Sequence, residues 1–430
     1  MDSSGTLTRR SWFTLLLVVA APLAYYGLVL AYSVNVPIYD DYVLLKGTND
    51  LLAATSLTEK LTGLFAMHTD YRIVTTRAIM FLWAKLTGSV DFKALNIVGN
   101  CALLPAAVVL GRSIGLGEDR KRWALFFLVS FQTQYLKLMF YPMAALQAFV
   151  GLLFSLLHLR YALEERKWFL SPVCYLLAVV TSGSGLFLSG ITVPLLVYRR
   201  HYRRAGVLAA VTVATVALYA PSSGKLAYPL AHPFRVLQFF ALLLGNPAEL
   251  PFFRSAAAQL SLALSLGGYF LYFLRAERLN LSRPGNRQKL ATVACLLYLL
   301  LMIALIAVGR AETYQGTLPQ AALDGRYRIY SLLFLAVCLS DLVHRVDARG
   351  GWRSRLPGAL ITCALLLNVL WCIPSFFSIR VDSRARVEAV RRWAATGQAG
   401  ALPTGASPPE EAAETLAAAI RMGYRPQQNF

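Results

Sequence analysis

Acidic residues are scarce in this 430-residue chain: 22 Asp and Glu stand against 42 Lys and Arg, for a formal net charge of +20. Charge of either sign is limited to 15% of the residues while hydrophobic ones reach 57%, and the mean hydropathy is +0.52, which excludes a soluble protein of this length. A polytopic membrane protein is expected. The excess of positive charge does not imply a nucleic-acid partner, because the basic residues fall in short clusters between apolar runs and not along one amphipathic face. Cysteine is also sparse. Cys101, Cys174, Cys295, Cys338, Cys363 and Cys372 all lie in apolar segments without CxxC or metal-ligand spacing, so packing inside the membrane is expected of them. The sequence lacks a P-loop, a dinucleotide-binding glycine motif, a serine nucleophile elbow and a His/Cys metal set. It also lacks the internal repeat from which many transporters are built.

What is present is a series of apolar runs. The first, 11–32, is long enough to cross a hydrocarbon core of ~30 Å, and too long for the 7–15 apolar residues of a cleaved signal peptide. It reads as a retained helix. Arg9 and Arg10 precede it, so the positive-inside rule places the N-terminus in the cytoplasm. Further runs near 93–111, 123–136, 143–162, 169–181, 185–198, 205–220, 255–274, 291–308, 328–343 and 356–376 give an all-α fold of about eleven spans. Five basic clusters separate them: 112–122, 160–167, 199–204, 275–289 and 345–355. All five face the cytoplasm only if residues 33–92 begin and end on the far side. Segment 72–87 must then fail to span. It carries Arg72, Arg77 and Lys85 around only ~8 uninterrupted apolar residues, against the ~20 a span needs, and is expected to be a juxtamembrane helix.

Residues 1–377 thus form the membrane module, with 33–92 as a long outer loop containing juxtamembrane helices. Residues 378–430 form an outer tail whose Ser407-Pro-Pro-Glu-Glu411 starts one amphipathic helix.

The outer segments hold most of the chemistry-bearing residues. Asp40 and Asp41, in Tyr39-Asp-Asp-Tyr42, repel each other beside two aromatic rings, and both effects raise a carboxyl pKa toward that of a general base. The alternative is an N-cap and first-turn acid for the helix that follows. His68-Thr-Asp-Tyr-Arg72 precedes the juxtamembrane helix. His68 is either a general acid or a polar residue at a helix entry, Asp70 and Arg77 join it as substrate-binding candidates, and Arg72 is suited to an anionic ligand. Arg310, Arg326 and Arg328 are further candidates for a phosphate, since guanidinium binds phosphate in a planar fork. Arg326 and Arg328 cannot share a helical face as immediate neighbours, and an interfacial anchor formed with Tyr327 and Tyr330 is the other reading. Gln134, Tyr135 and Lys137, at the end of the third run, are either placed to hydrogen-bond a sugar or part of a plain loop, and Tyr327 is a further substrate-binding candidate.

With Tyr39-Asp-Asp-Tyr42 after the first helix, His68-Thr-Asp-Tyr-Arg72 at the juxtamembrane helix and Gly325-Arg-Tyr-Arg-Ile-Tyr-Ser331 late in the chain, the sequence resembles the C-type (GT-C) membrane glycosyltransferases. Bacterial O-antigen-modifying enzymes and type IV pilin arabinosyltransferases are nearest in size and plan. The resemblance implies a multi-pass protein of the bacterial inner membrane with a periplasmic active site. It implies a polyprenyl-phosphate sugar as donor, a glycan, lipid or protein acceptor, Asp40 or Asp41 as catalytic base, arginines on the donor phosphate, and neither cofactor nor metal. The chain departs from the aminoarabinose and protein-mannosyl transferases, having Asp-Asp where they have Asp-Glu and lacking their large soluble domain. A lipid-linked sugar flippase or other transporter, and an O-antigen polymerase or ligase, are the alternatives.

Overall fold

The computed structural model describes residues 9–68, 71–219, 227–252, 255–277, 286–313, 325–347, 355–404 and 408–427. Among the described residues the regular structure is helical except for a hairpin of two-residue strands in which His68 pairs with Tyr71. Among the described residues seven helices are long and apolar enough to cross a membrane: Trp12–Tyr32, Phe92–Ser113, Pro142–Ala162, Ala256–Glu277, Arg287–Arg310, Gly325–Val346 and Leu356–Thr396. The protein is therefore an all-α polytopic membrane protein in its broad class.

The elements that matter below are numbered in chain order: α1 (Arg9–Tyr32), α2 (Asp41–Ala53), α3 (Leu57–Phe65), β1 (Met67–His68), β2 (Tyr71–Arg72), α4 (Val74–Thr87), α5 (Phe92–Cys101), α6 (Leu103–Ser113), α7 (Arg120–Ser130), α8 (Pro142–Ala162), α9 (Leu170–Thr181), α10 (Ser189–Tyr198), α11 (Tyr202–Tyr219), α12 (Pro233–Leu244), α13 (Ala256–Glu277), α14 (Arg287–Arg310), α15 (Arg328–Asp347), α16 (Leu356–Thr396) and α17 (Pro409–Arg421). All eleven expected runs are helical, but four fall on helices outside the seven. The run at 123–136 forms α7, which ends at Ser130, while α9 and the 183–198 segment are short. The fourth, α11, has Arg203 and Arg204 in its first turn. The juxtamembrane element appears as α4, whose 14 residues rise only about 21 Å at 1.5 Å each.

In α1, Leu17, Ala21, Tyr25 and Val29 are buried at four-residue intervals, while Leu16, Leu23 and Leu30 on other faces stay exposed. One stripe packs on protein and the remainder suits lipid. Polar groups join this stripe to its neighbours. Tyr25 donates to the Asn100 side chain, Tyr26 donates to the Asn100 carbonyl at 3.1 Å, and Asn96 bridges Ser33 (2.8 Å) and the Met139 carbonyl (3.0 Å). Such side-chain bonds hold helices together where the hydrophobic effect between them is weak. By contrast α7 buries residues all round, from Ala124 to Ser130, because α1, α15 and α16 pack on it.

The connections sort to two ends. At one, Arg204 donates to the Glu164 carbonyl (3.1 Å), Arg287 pairs with Glu164 (3.2 Å), and Glu277 accepts from both Lys289 (2.5 Å) and Arg345 (2.9 Å). Arg122 there donates to the carbonyls of Gly115 and Ser340. At the other end residues 33–41, 138–148, 182–187, 309–310 and 326–327 converge, with α17 lying along α2. Basic residues from four of the clusters, Arg122, Arg204, Arg287 with Lys289, and Arg345, thus gather at one end, and the acidic pair lies at the other. The tail differs from expectation. The helix of the last apolar run does not stop near 376: α16 runs unbroken for 41 residues, past Pro374 to Thr396, where Gly397 at φ 69° closes it. The polar stretch after the apolar run is rich in Arg and Ala, residues that favour helix.

Candidate active site

The two aspartates have separate surroundings. Asp41, the first residue of α2, is fully buried; its Oδ2 accepts the Ile38 N–H (3.1 Å) and its Oδ1 accepts the Met143 N–H (3.0 Å). Met143 lies in the first turn of α8, whose N–H groups have no partner within the helix. Asp41 therefore ties the entry of α2 to the start of α8. Burial pushes its carboxyl up to about 8; the two N–H donors and the charge of Arg386 pull against that rise, and Asp40 adds to it. Asp40 stands at the N-cap position of α2, with no capping bond from its side chain. Its backbone N–H donates to the Tyr141 hydroxyl (3.0 Å), and the residue lines a cavity of 710 Å³.

This cavity lies at the end of the bundle where the acidic pair sits. Asp40, Tyr71, Tyr141 and Gln147 occupy one part of its wall, Arg310, Arg326 and Tyr327 another. Much of the rest is apolar, from Phe187, Val216, Met302, Leu305 and Ile306. Tyr71 marks where the charges meet. Burial raises its phenol pKa, the fields of Arg310 and Arg326 lower it, and Asp40 and Tyr327 raise it again.

Of the residues expected at the site, Asp40, Arg310, Arg326 and Tyr327 are brought together, and the Arg326 guanidinium lies 5.5 Å from the Tyr327 ring centre. The others lie elsewhere. Arg328 is buried and ion-paired with Glu249, its guanidinium 4.9 Å from the Trp371 ring centre, while Trp371 donates to the Glu249 carbonyl (3.2 Å). That pairing orients Arg328 away from a phosphate role. Arg77 is buried and donates to the carbonyls of Leu64, Ala66 and Met67, so it braces the turn from α3 into β1. Gln134 donates to Gln132 (2.6 Å) and Tyr135 to the Ser130 carbonyl (2.6 Å), both in the core. Their contribution is indirect: a Cβ at Gly325 would lie 3.1 Å from the Gln134 carbonyl, so this segment supports the turn that presents Arg326. Lys137 is exposed and lies in a small cleft with Asp382 and Arg386. Arg72, at the end of the hairpin, is not among the residues lining the cavity. Asp70 lies outside the described residues.

His68 is buried with its ring edge-on to Tyr71 at 5.7 Å. Desolvation lowers its pKa, the charge of Asp40 opposes that, and Arg77 reinforces it. It stands behind Tyr71 and does not line the cavity.

Two residues escape the sequence reading. Gln147 accepts the Tyr71 hydroxyl at Oε1 (3.2 Å), lines the cavity, and keeps a buried Nε2 without a protein partner. It belongs to a π-helical turn, Leu146–Val150, a local widening often found at functional sites. A glutamine within the apolar run 143–162 was the available signal. Arg386, on the polar extension of α16, donates to the Phe140 carbonyl (2.7 Å) within the field of Asp41. Its distance in sequence from the acidic pair hides it.

Among the described residues no three His, Cys, Asp or Glu side chains cluster as metal ligands would. No family model, curated protein or solved structure matches the chain.

Proposed function

We propose that this chain is an inner-membrane glycosyltransferase of GT-C type that moves one sugar from a polyprenyl-phosphate carrier to an acceptor hydroxyl at the periplasmic face. The observation that carries the reading is the sharing of one cavity by Asp40, the arginines Arg310 and Arg326, and an apolar wall. A lipid-linked sugar phosphate needs all three: apolar surface for the isoprenoid, guanidinium for the phosphate, and a base for the acceptor.

In the proposed reaction Asp40 takes the proton of the acceptor hydroxyl as its oxygen bonds to the anomeric carbon. The bond from that carbon to the phosphate oxygen breaks on the opposite face, its electron pair leaves with polyprenyl phosphate, and the anomeric centre inverts. Arg310 and Arg326 stabilise the charge that develops on the departing phosphate. Asp41, bonded to two backbone N–H groups, holds the loop in place. In this reading further helices beyond the seven join the membrane domain, and the end bearing Arg122, Arg204 and Arg345 is cytoplasmic.

The test uses purified protein in lipid nanodiscs, radiolabelled undecaprenyl-phosphate sugars and membranes from the source cell as acceptor. Label should move from the carrier lipid to a glycan, lipid or protein acceptor, and Asp40→Asn should slow the transfer ~10²–10⁴-fold. Movement of intact labelled carrier between leaflets of a proteoliposome without transfer would identify a flippase instead.

A further inference from the structure

Tyr39, immediately before Asp40, has φ 49°. A side chain with a Cβ disfavours this left-handed region, so the conformation needs support from its surroundings. The support comes from two distant parts of the sequence. The Tyr39 N–H donates to the Pro403 carbonyl at 3.0 Å, and its ring packs edge-on to Tyr141 at 5.7 Å. Tyr141 in turn accepts the Asp40 N–H.

Just upstream, Asn35 is clasped by the segment after α17. Its carbonyl accepts from the Tyr424 hydroxyl (2.9 Å) and the Gln427 N–H (3.1 Å), and its Nδ2 donates to the Arg425 carbonyl (2.9 Å). Alongside, α17 is fastened to α2 by Asn49 Nδ2 on the Thr415 carbonyl (3.2 Å) and by the Lys46–Glu411 pair (2.6 Å).

We propose that residues 398–404 and 408–427 are a positioning element for Asp40, whose docking holds Tyr39 left-handed and so directs the Asp40 carboxylate into the cavity. The inference rests on the reading of Asp40 as base. Without the Pro403 carbonyl, Tyr39 relaxes to negative φ, the peptide joining it to Asp40 rotates, and the carboxylate leaves the cavity wall. Donor binding, which falls to Arg310, Arg326 and the apolar surface, stays intact.

A segment that merely stabilised the fold would weaken donor binding and turnover together. A chain ending after Gly397 should bind undecaprenyl phosphate in nanodiscs within about twofold of wild type, yet lose at least about tenfold in kcat, the scale of a left-handed residue's cost. Tyr39→Gly in the shortened chain should recover most of that loss, because glycine adopts positive φ unaided. If the shortened chain does not accumulate, Tyr424→Phe removes one bond to Asn35 and should lower kcat severalfold, again less in the Tyr39→Gly background. A kcat loss that Tyr39→Gly leaves undiminished, or a parallel loss of lipid binding, overturns the positioning role. Asp40→Asn, run beside these variants, separates the two ideas: full activity there removes Asp40 as base and this inference with it.

Discussion

Asp41 accepts the backbone N–H of Met143 at 3.0 Å, joining the start of one helix to the start of another that lies 102 residues away. Two adjacent, chemically identical residues are thereby given different tasks. Asp41 satisfies buried donors, and Asp40 faces the cavity.

Substitution should separate those tasks. Asp40→Asn is expected to accumulate normally, unfold at the wild-type temperature and lose transfer. Asp41→Ala leaves the Ile38 and Met143 N–H groups buried and unpaired, at a cost of ~1–3 kcal/mol each, and should lower the unfolding temperature and the yield. Thermal unfolding in detergent beside a transfer assay reads both. An Asp41→Ala protein as stable as wild type would remove its structural role.

The same contrast has a pH signature. Asp41 ionises at about 8 in the folded protein, and a free aspartate does so near ~4. Between those values the folded state holds a proton that the unfolded state has released, so this residue's contribution to stability falls as pH rises through the window and levels off above about 8. Unfolding temperature measured from pH 5 to 9 should therefore decline less steeply in Asp41→Asn than in wild type. Parallel curves would show that Asp41 is ionised throughout.

The three arginines should also part company. Arg326→Lys and Arg310→Lys keep the charge but lose the planar fork, so both should weaken use of a polyprenyl-phosphate donor with little change in stability. Arg328→Ala instead strands the buried Glu249, a loss of ~3–5 kcal/mol for a broken buried pair, which removing Glu249 as well should partly offset. Lipid-phosphate binding and thermal unfolding distinguish the classes. Donor use unchanged in both lysine variants would favour anchoring at the membrane surface.

Gln147→Leu removes an amide that fixes the Tyr71 hydroxyl and leaves a donor toward the cavity. The expected result is a loss of about tenfold in kcat/KM, the scale of one hydrogen bond to a neutral partner, with affinity for unglycosylated undecaprenyl phosphate unchanged. Equal loss for the bare lipid would move Gln147 to the phosphate end of the cavity.

The helices were legible because apolar runs and basic punctuation are local signals. The division of labour at the site was not. Nothing near Asp41 announces that its partner is Met143, and nothing near Arg328 announces Glu249, since both pairings arise only when distant helices pack. The expected helix start at Tyr39-Asp-Asp-Tyr42 is present, with Asp40 at the N-cap position and Asp41 as the first-turn acid, but the Asp40 side chain makes no capping bond. The length of the last helix was hidden for a related reason. Hydropathy marks where a helix leaves apolar surroundings and not where it stops, and α16 continues through residues that favour helix in water.

Phe187 and Val216 line the cavity and are among its exposed apolar residues, at 50% and 43%. Under the proposed function that rim is a side door. A carrier confined to the bilayer searches in two dimensions at a high local concentration, so the cavity has little need of tight binding to stay filled. Selection can then fall on the polar headgroup, and a loosely held isoprenoid lets the spent carrier slip back into the lipid it came from.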